Sequence, residues 1–380
     1  MEVQVVDPSA YSPPYDRSLC AALARAGADV ELVTSRFLYG PVPPADGYRV
    51  NEAFYRRSAK RGLDAPARRA FKLGEHFADM TRQRRHSAAA DVVHYQWLTM
   101  PGVDWALLPP PALRNGSEAA TARPPQVLTF HERPARGRIG VARERRLLSR
   151  MDAVVAHSEH AARRLSEELG FEAARTTVIP HGALDYLTRL HDERPLPAEL
   201  ARVERPVALC FGLIRPHKGV EVVLEAFGSV PDAELWVVGM PRMSMDAIRE
   251  LAARIPDRVR LVPRFISDPE VPAYFRRADI VVLPHLNAEQ SGVLHIALAF
   301  GRPLVLTAVG GFPEIAERDR AAHLVPPANP AALAAALNEL IADEPERRRL
   351  ADAAARAAAG PYSWDRIAAQ TLDLYRSLLG

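Results

Sequence analysis

Cysteine and lysine are scarce in this chain, and no apolar run is long enough to cross a bilayer as a helix. The two cysteines, Cys20 and Cys210, stand far apart in apolar surroundings. Neither belongs to a metal-spaced pair, so buried free thiols in a reducing compartment are expected, and no metal site. The first residues, Met1-Glu2-Val3-Gln4-Val5-Val6, enter a strand at once, without a basic segment or a signal-peptide core. With no transmembrane-length segment either, a cytoplasmic location is expected. Among 49 Lys and Arg residues the only lysines are Lys60, Lys72 and Lys218. Against that background Lys218, in a glycine-flanked motif, stands out, because a compact ammonium is a different tool from a guanidinium. Net charge is only +3, which gives no argument for nucleic acid.

What is present is the composition of a globular protein, 48% hydrophobic and 25% charged over 380 residues, enough for two domains. Short β-branched runs recur at Val3–Val6, 28–34, 91–94, Gln126–Phe130, Ala153–Ala156 and 176–179, with helical stretches between them. The same grammar restarts at Val207–Phe211, Glu234–Val238, Val259–Val262, Ile280–Leu283 and Leu304–Thr307. Such alternation is the mark of parallel α/β sheets, so two Rossmann-like domains with a cleft at their junction are expected. The boundaries read as a first domain over 1–185, a proline-rich linker over 186–205, a second domain over 206–360 and a final segment over 361–380. In that last segment Trp364, Ile367, Ala368, Thr371, Tyr375 and Leu378 recur at helical spacing, so it should pack on the body of the protein. Residues 109–125, with Asn115-Gly116-Ser117, read as a surface loop.

Ligands of such sheets bind beyond the carboxyl ends of the strands. That rule places Ser12, Tyr15 and Asp16, in the proline-stiffened loop after the first strand, at a site. It also draws attention to His94, His131 and His181, each at a strand end, with His131 the strongest candidate. Their spacing matches no compact metal motif. The stretch 55–86 is basic and helix-prone, with Arg68, Arg69 and Lys72 among its cations and Phe71, Leu73 and Phe77 interleaved. It reads either as a solvated arginine-rich surface or as a face for anionic lipid headgroups.

In the second half, Phe211-Gly212-Leu213-Ile214-Arg215-Pro216-His217-Lys218-Gly219 follows a strand and sets Arg215 and Lys218 in a glycine-framed turn. It is not a Walker loop, since the spacing differs and no Ser or Thr follows the lysine. Further on, Ser291-Gly292 opens an apolar helix that stops at Gly301, just after the strand Ile280–Leu283. The free N–H groups of a helix start favour an anion, although an ordinary strand–turn–helix unit has the same outline. Together the two elements would grip one diphosphate. No pair of carboxylates at glycosidase spacing is evident, so hydrolysis is not favoured.

The strings GLIRPHKGVEVVLEAF (Gly212–Phe227), ADIVVLPHLNAEQSGVLHIALAFGRPLVLTAVGGFPE (Ala278–Glu314) and YSWDRIA (Tyr362–Ala368) resemble the retaining family-4 glycosyltransferases of the GT-B fold. VDPSAYSPPYD, VVHYQW, LTFHE, VVAHSEHAARRL and VIPHG extend the resemblance through the first half. It implies two Rossmann-like domains facing a central cleft, with a last helix crossing back to the first. It implies no cofactor, a nucleoside diphosphate-sugar as co-substrate, and a glycan, lipid-linked or small-molecule hydroxyl as acceptor. The catalytic group would be His131, Arg215 and Lys218. The donor would meet Gly212, Arg215, Lys218, Glu289, Gln290, Ser291, Gly292 and Val293, and the acceptor Ser12, Tyr15, Asp16 and His131. Glu314 would be structural or face the cleft. The family often carries glutamates at the positions held here by Ala288 and Ile296, and a glycine pair where Ser12-Pro13-Pro14-Tyr15 stands. A silent sugar-nucleotide-binding relative and a sugar-nucleotide epimerase are the alternatives.

Overall fold

Strands this short and this apolar, each followed by a helix, can bury both faces only as the middle layer of a parallel sheet. The computed structural model has that arrangement twice. It describes residues 1–40, 42–60, 66–98, 100–110, 123–131, 137–288 and 290–380. These form two compact units, one of Met1–Gly182 with Trp364–Gly380, the other of Ala183–Ser363.

In the first unit the strands are β1 (Glu2–Asp7), β2 (Asp29–Ser35), β3 (Arg49–Phe54), β4 (Val92–Tyr95), β5 (Gln126–Phe130), β6 (Ala153–Ala156) and β7 (Thr176–Val178). All pair in parallel, in the order β3-β2-β1-β4-β5-β6-β7. The helices are α1 (Pro13–Arg25), α2 (Pro66–His86), α3 (Pro101–Leu107), α4 (Gly137–Leu148) and α5 (Glu159–Glu167). Val5, Val6, Val33, Val93, Val127 and Val154 are fully buried along the central strands. Each such side chain contributes about 1.5–3 kcal/mol. The strand order reverses between β1 and β4, so the loops that follow these two strands part to opposite faces and leave a crevice.

The second unit repeats the design with β8 (Val207–Phe211), β9 (Glu234–Val238), β10 (Val259–Val262), β11 (Ile280–Leu283), β12 (Leu304–Thr307) and β13 (Ala322–Val325). Their order is β10-β9-β8-β11-β12-β13, again parallel, with the reversal between β8 and β11. Around them lie α6 (Ala198–Ala201), α7 (Val220–Phe227), α8 (Asp246–Ala253), α9 (Val271–Arg277), α10 (Gly292–Ala299), α11 (Phe312–Arg318), α12 (Pro330–Ala342) and α13 (Glu344–Ala359). The stretch 186–205 carries most of the 3-10 turn Asp185–Arg189 and the short α6, both counted within this unit.

The last helix, α14 (Trp364–Leu379), belongs to the first unit and packs on α1. Its stripe of Trp364, Ile367, Ala368, Thr371 and Tyr375 is buried, whereas Leu378, on the expected stripe, is half-buried. Gly182 makes room for it: a Cβ there would lie 2.3 Å from the Trp364 indole. Tyr375 reaches inward and its hydroxyl meets Nδ1 of His94 at 2.6 Å. Most of the loop 109–125 lies outside the described residues, as do 61–65 of the basic stretch. No helix among the described residues is long and apolar enough to cross a membrane.

Candidate functional site

Backbone crowding builds the site of the second unit. After β8 the chain turns through Gly212, whose φ of 112° suits glycine alone, and a Cβ there would approach Val293 of α10 to 3.0 Å. The β8 turn and the start of α10 therefore touch. Gly219, with φ of 66°, is held against the end of β11, where a Cβ would sit 1.9 Å from the Pro284 carbonyl oxygen. The adjacent Leu286 N–H donates to the His217 carbonyl at 2.8 Å. This contact delivers Lys218 to His285, whose Nε2 lies 2.7 Å from the ammonium. Burial, and after it the charge of Arg215, brings Lys218 down to about 8, against the opposing pull of Cys210. Burial and the Lys218 charge bring His285 down to about 2, so its ring is neutral and accepts from the lysine.

Ser291 is the N-cap of α10 by position, yet its side chain makes no cap hydrogen bond. Its hydroxyl is buried and has no hydrogen-bond partner. A Cβ at Gly292 would meet nothing within 4 Å, so the approach to these first N–H groups is open. A helix start with open N–H groups, a positive dipole end and an uncommitted hydroxyl is matched to an anion. Gln290 and Val293 flank this turn half-buried, Glu314 stands in the first turn of α11, and Ile296 is buried on α10. Glu289 lies outside the described residues.

In the first unit the corresponding place is the reversal between β1 and β4. Ser12 opens α1 and its hydroxyl accepts from the Trp97 indole N–H at 2.6 Å. Asp16 is fully buried and burial raises it, so it holds its proton and bonds to Asp7. Asp7 in turn accepts from the backbone N–H of Ser9 at 3.1 Å and of Tyr11 at 2.6 Å. Asp16 thus acts on this loop from beneath. Tyr15 is buried too, with ring contacts to His131 and His181 at 4.8 Å, His157 at 5.4 Å and Trp364 at 5.2 Å. His94 stands apart in role: it is buried inside β4, bonded to Tyr375 and to Thr129 at 2.7 Å, and burial lowers it to about 3.

The protonation of His131 follows from its neighbours. His157 Nδ1 is 2.9 Å from the Ile179 carbonyl, which can only accept, so that nitrogen carries the proton. Burial lowers His157 to about 4, which leaves the ring neutral and its Nε2 a lone pair. His131 Nδ1, 3.2 Å away, must then donate. Burial lowers His131 as well, so its Nε2 is also a lone pair. The Gln96 amide beside that Nε2 at 2.9 Å must turn its NH2 group toward the ring. With the oxygen there instead, the buried Gln96 nitrogen has no partner. His131 is a neutral hydrogen-bond acceptor, stacked on Trp97 with centroids 4.8 Å apart. Beside it opens a cavity of about 260 Å³, walled by Trp97, Leu128, Phe130 and Leu147 among others. Among the described residues no three His, Cys, Asp or Glu side chains group as a metal site.

Comparison with known proteins gives this pair of sites a family. The Glycosyltransferase Family 4 profile matches residues 17–183, and the Glycosyl transferases group 1 profile matches residues 205–343. The chain belongs to glycosyltransferase family 4. It is 28% identical to a D-inositol 3-phosphate glycosyltransferase of Xylanimonas cellulosilytica over 95% of this chain and 90% of that one. It is 29% identical to a phosphatidyl-myo-inositol mannosyltransferase of Mycobacterium leprae, over 59% of each. In fold it matches the sucrose-phosphate synthase of Thermosynechococcus elongatus (TM-score 0.76, 21% identity, 100% and 99% of the two chains). HepE of Anabaena, solved with UDP-glucose, matches with a TM-score of 0.72 at 18% identity, over 99% and 100% of the two chains. This glycosyltransferase therefore has the GT-B fold, with its two Rossmann-like units.

Some residues of these sites escape sequence reasoning. His285 follows β11 as other histidines follow their strands, but nothing in PHLN shows that Gly219 brings Lys218 onto it. His157, in VVAHSEH, and Gln96, in VVHYQW, matter through what they bond to, which spacing does not reveal.

Proposed function

We propose that this glycosyltransferase moves a sugar from a nucleoside diphosphate-sugar to an acceptor hydroxyl with retention at the anomeric carbon. The observation that carries this reading is the Lys218–His285 pair, with Arg215 close enough to act on the lysine and the uncommitted Ser291 hydroxyl beneath α10. The diphosphate is read as bound by Arg215, Lys218 and the N–H groups that open α10, with Gly212 leaving room for it. These are fixed before reaction, so charge appearing on the leaving group is met without reorganisation. The bond from the anomeric carbon to the phosphate oxygen breaks, and the acceptor oxygen forms the new bond on the same face. The acceptor proton passes to the departing phosphate. His131 aligns a sugar hydroxyl by accepting from it at Nε2, where that hydroxyl takes the place of the Gln96 amide.

UDP-glucose in HepE and the inositol-containing acceptors in the names of relatives favour a nucleotide donor and a polyol acceptor. The peripheral membrane contact assigned to 55–86 finds support in α2, where Leu73 and Phe77 are 48% and 58% exposed one turn apart. Lys218→Ala is the test of the diphosphate assignment. Transfer should fall about 10²–10³-fold, the scale of a lost preorganised donor, while the fold persists by circular dichroism. Turnover near the parent rate in a folded variant would remove the assignment.

A further inference from the structure

A second cavity of the first unit has been given no role. It measures about 110 Å³ and shares no lining residue with the cavity beside His131. Its wall comes from the ends of β1, β2 and β3 and from α2, and includes Ser9, Ser35, Arg36, Tyr55, Ser58 and Lys72. The described lining holds two cationic side chains and no carboxylate.

The backbone around it is strained in two places. Ala10 and Tyr55, both in the wall, take the left-handed region at φ of 46° and 54°. For a residue as bulky as tyrosine that is a true outlier, and such strain gathers at ligand sites. The surroundings hold Tyr55 there. Its N–H donates to Asp79 at 2.9 Å, and its hydroxyl meets Nδ1 of His76 at 2.6 Å. Nε2 of His76 meets Asp104 at 2.6 Å, with both of those side chains fully buried. The carboxylate accepts from Nε2–H, and the Tyr55 hydroxyl closes the chain at Nδ1. The ring is thereby a rigid platform, and the Lys72 ammonium rests over it, 4.2 Å from the centroid. Four connected residues thus fix the Lys72 ammonium at the wall of a polar cavity.

We propose that this cavity is an anion-binding site, taking a phosphate monoester group through Lys72, Arg36 and the Ser35 hydroxyl. Ammonium and guanidinium with a neutral hydroxyl donor match phosphate oxygens, and among the described residues no carboxylate lines the cavity. The site rests on the transferase reading only in one respect, that the phosphate it holds would belong to the acceptor. A phosphorylated polyol and a phosphomonoester lipid headgroup share this chemistry.

Titration calorimetry of the full chain with inorganic phosphate and with glycerol 3-phosphate tests the site. Lys72→Met should weaken phosphate binding at least about tenfold, as for the loss of one charge-assisted contact. Arg36→Gln, at an exposed position, should weaken it in the same direction and serves if Lys72→Met does not fold. Vesicles containing phosphatidate form the other arm. Binding of vesicles that Lys72→Met abolishes, with soluble phosphates unaffected, assigns the site to a headgroup; the reverse assigns it to a soluble phosphate. Equal binding of all probes by parent and both variants overturns the proposal. Nucleoside diphosphate binding, measured in parallel, should be the same in parent and Lys72→Met; its absence from both would count against the donor assignment alone.

Discussion

Lys218 donates to Nε2 of His285 at 2.7 Å, a charged ammonium set against a neutral ring in a pocket whose burial makes the charge harder to keep. The buried ammonium is held at about 8, down from 10.5. Its charge is therefore lost as pH rises through about 8, and affinity for a nucleoside diphosphate should fall in the same range. Fold stability moves the other way. Between about 8 and 10.5 the unfolded chain keeps a proton the native chain has released, so this group's contribution to stability improves with pH. Calorimetric binding of a nucleoside diphosphate across that range checks the first statement. An affinity that stays flat through it would show that Lys218 does not carry the diphosphate charge.

Gly219→Ala should be among the most damaging small substitutions. The new methyl would meet the Pro284 carbonyl oxygen at 1.9 Å on a residue whose φ is 66°. A loss on the order of 3 kcal/mol is expected, from strain and displaced backbone together. Urea denaturation measures it. Gly292→Ala is the control, since its methyl would meet nothing within 4 Å, and it should leave stability within about 0.5 kcal/mol.

His157→Phe should change His131 without touching a ligand. Losing the acceptor at His157 Nε2 frees His131 to take the other tautomer, with Nε2–H donating to the Gln96 oxygen. Nitrogen-15 histidine spectra should then show the proton moved from Nδ1 to Nε2 of His131. Transfer should fall roughly tenfold in kcat with little change in donor KM, as for one hydrogen bond of about 1.4 kcal/mol. A parent spectrum with the proton already on Nε2 would refute the assignment.

Asp16→Asn separates a buried acid from a ligand contact. Burial raises Asp16 above its ordinary 3.8, so its stabilising contribution is complete at pH below 3.8 and is lost as pH rises through the folded value. Asparagine keeps the donor to Asp7 without that loss, and Asp16→Asn should match or exceed the parent's stability at neutral pH. Asp16→Ala removes the donor and should cost about 1–3 kcal/mol. Denaturant unfolding of the two variants side by side distinguishes them.

The strands of both sheet centres were legible because burial on two faces demands unbroken β-branched runs such as Val281-Val282-Leu283. β3 and β13, at sheet edges, were not, since Arg49-Val50-Asn51-Glu52 and Ala322-His323-Leu324 are half-exposed and carry no such run. The turn after β8 and the start of α10 were legible from Gly212, Lys218 and Ser291-Gly292, where backbone shape restricts residue type. The roles of His157, His285 and the Asp104–His76–Tyr55 chain depend on contacts across 21 to 67 positions of sequence. No local pattern encodes such a pairing.

Gly182 and Trp364, stacked in the first unit, mark the two ends of the other unit in the chain. In order of synthesis, then, the Ala183–Ser363 body is an uninterrupted insertion, able to fold as soon as it leaves the ribosome. The earlier-made part is discontinuous and must wait for the final helix to cover Gly182, Tyr15 and His94. Loss of a few C-terminal residues would therefore be felt in the half of the molecule that is made first.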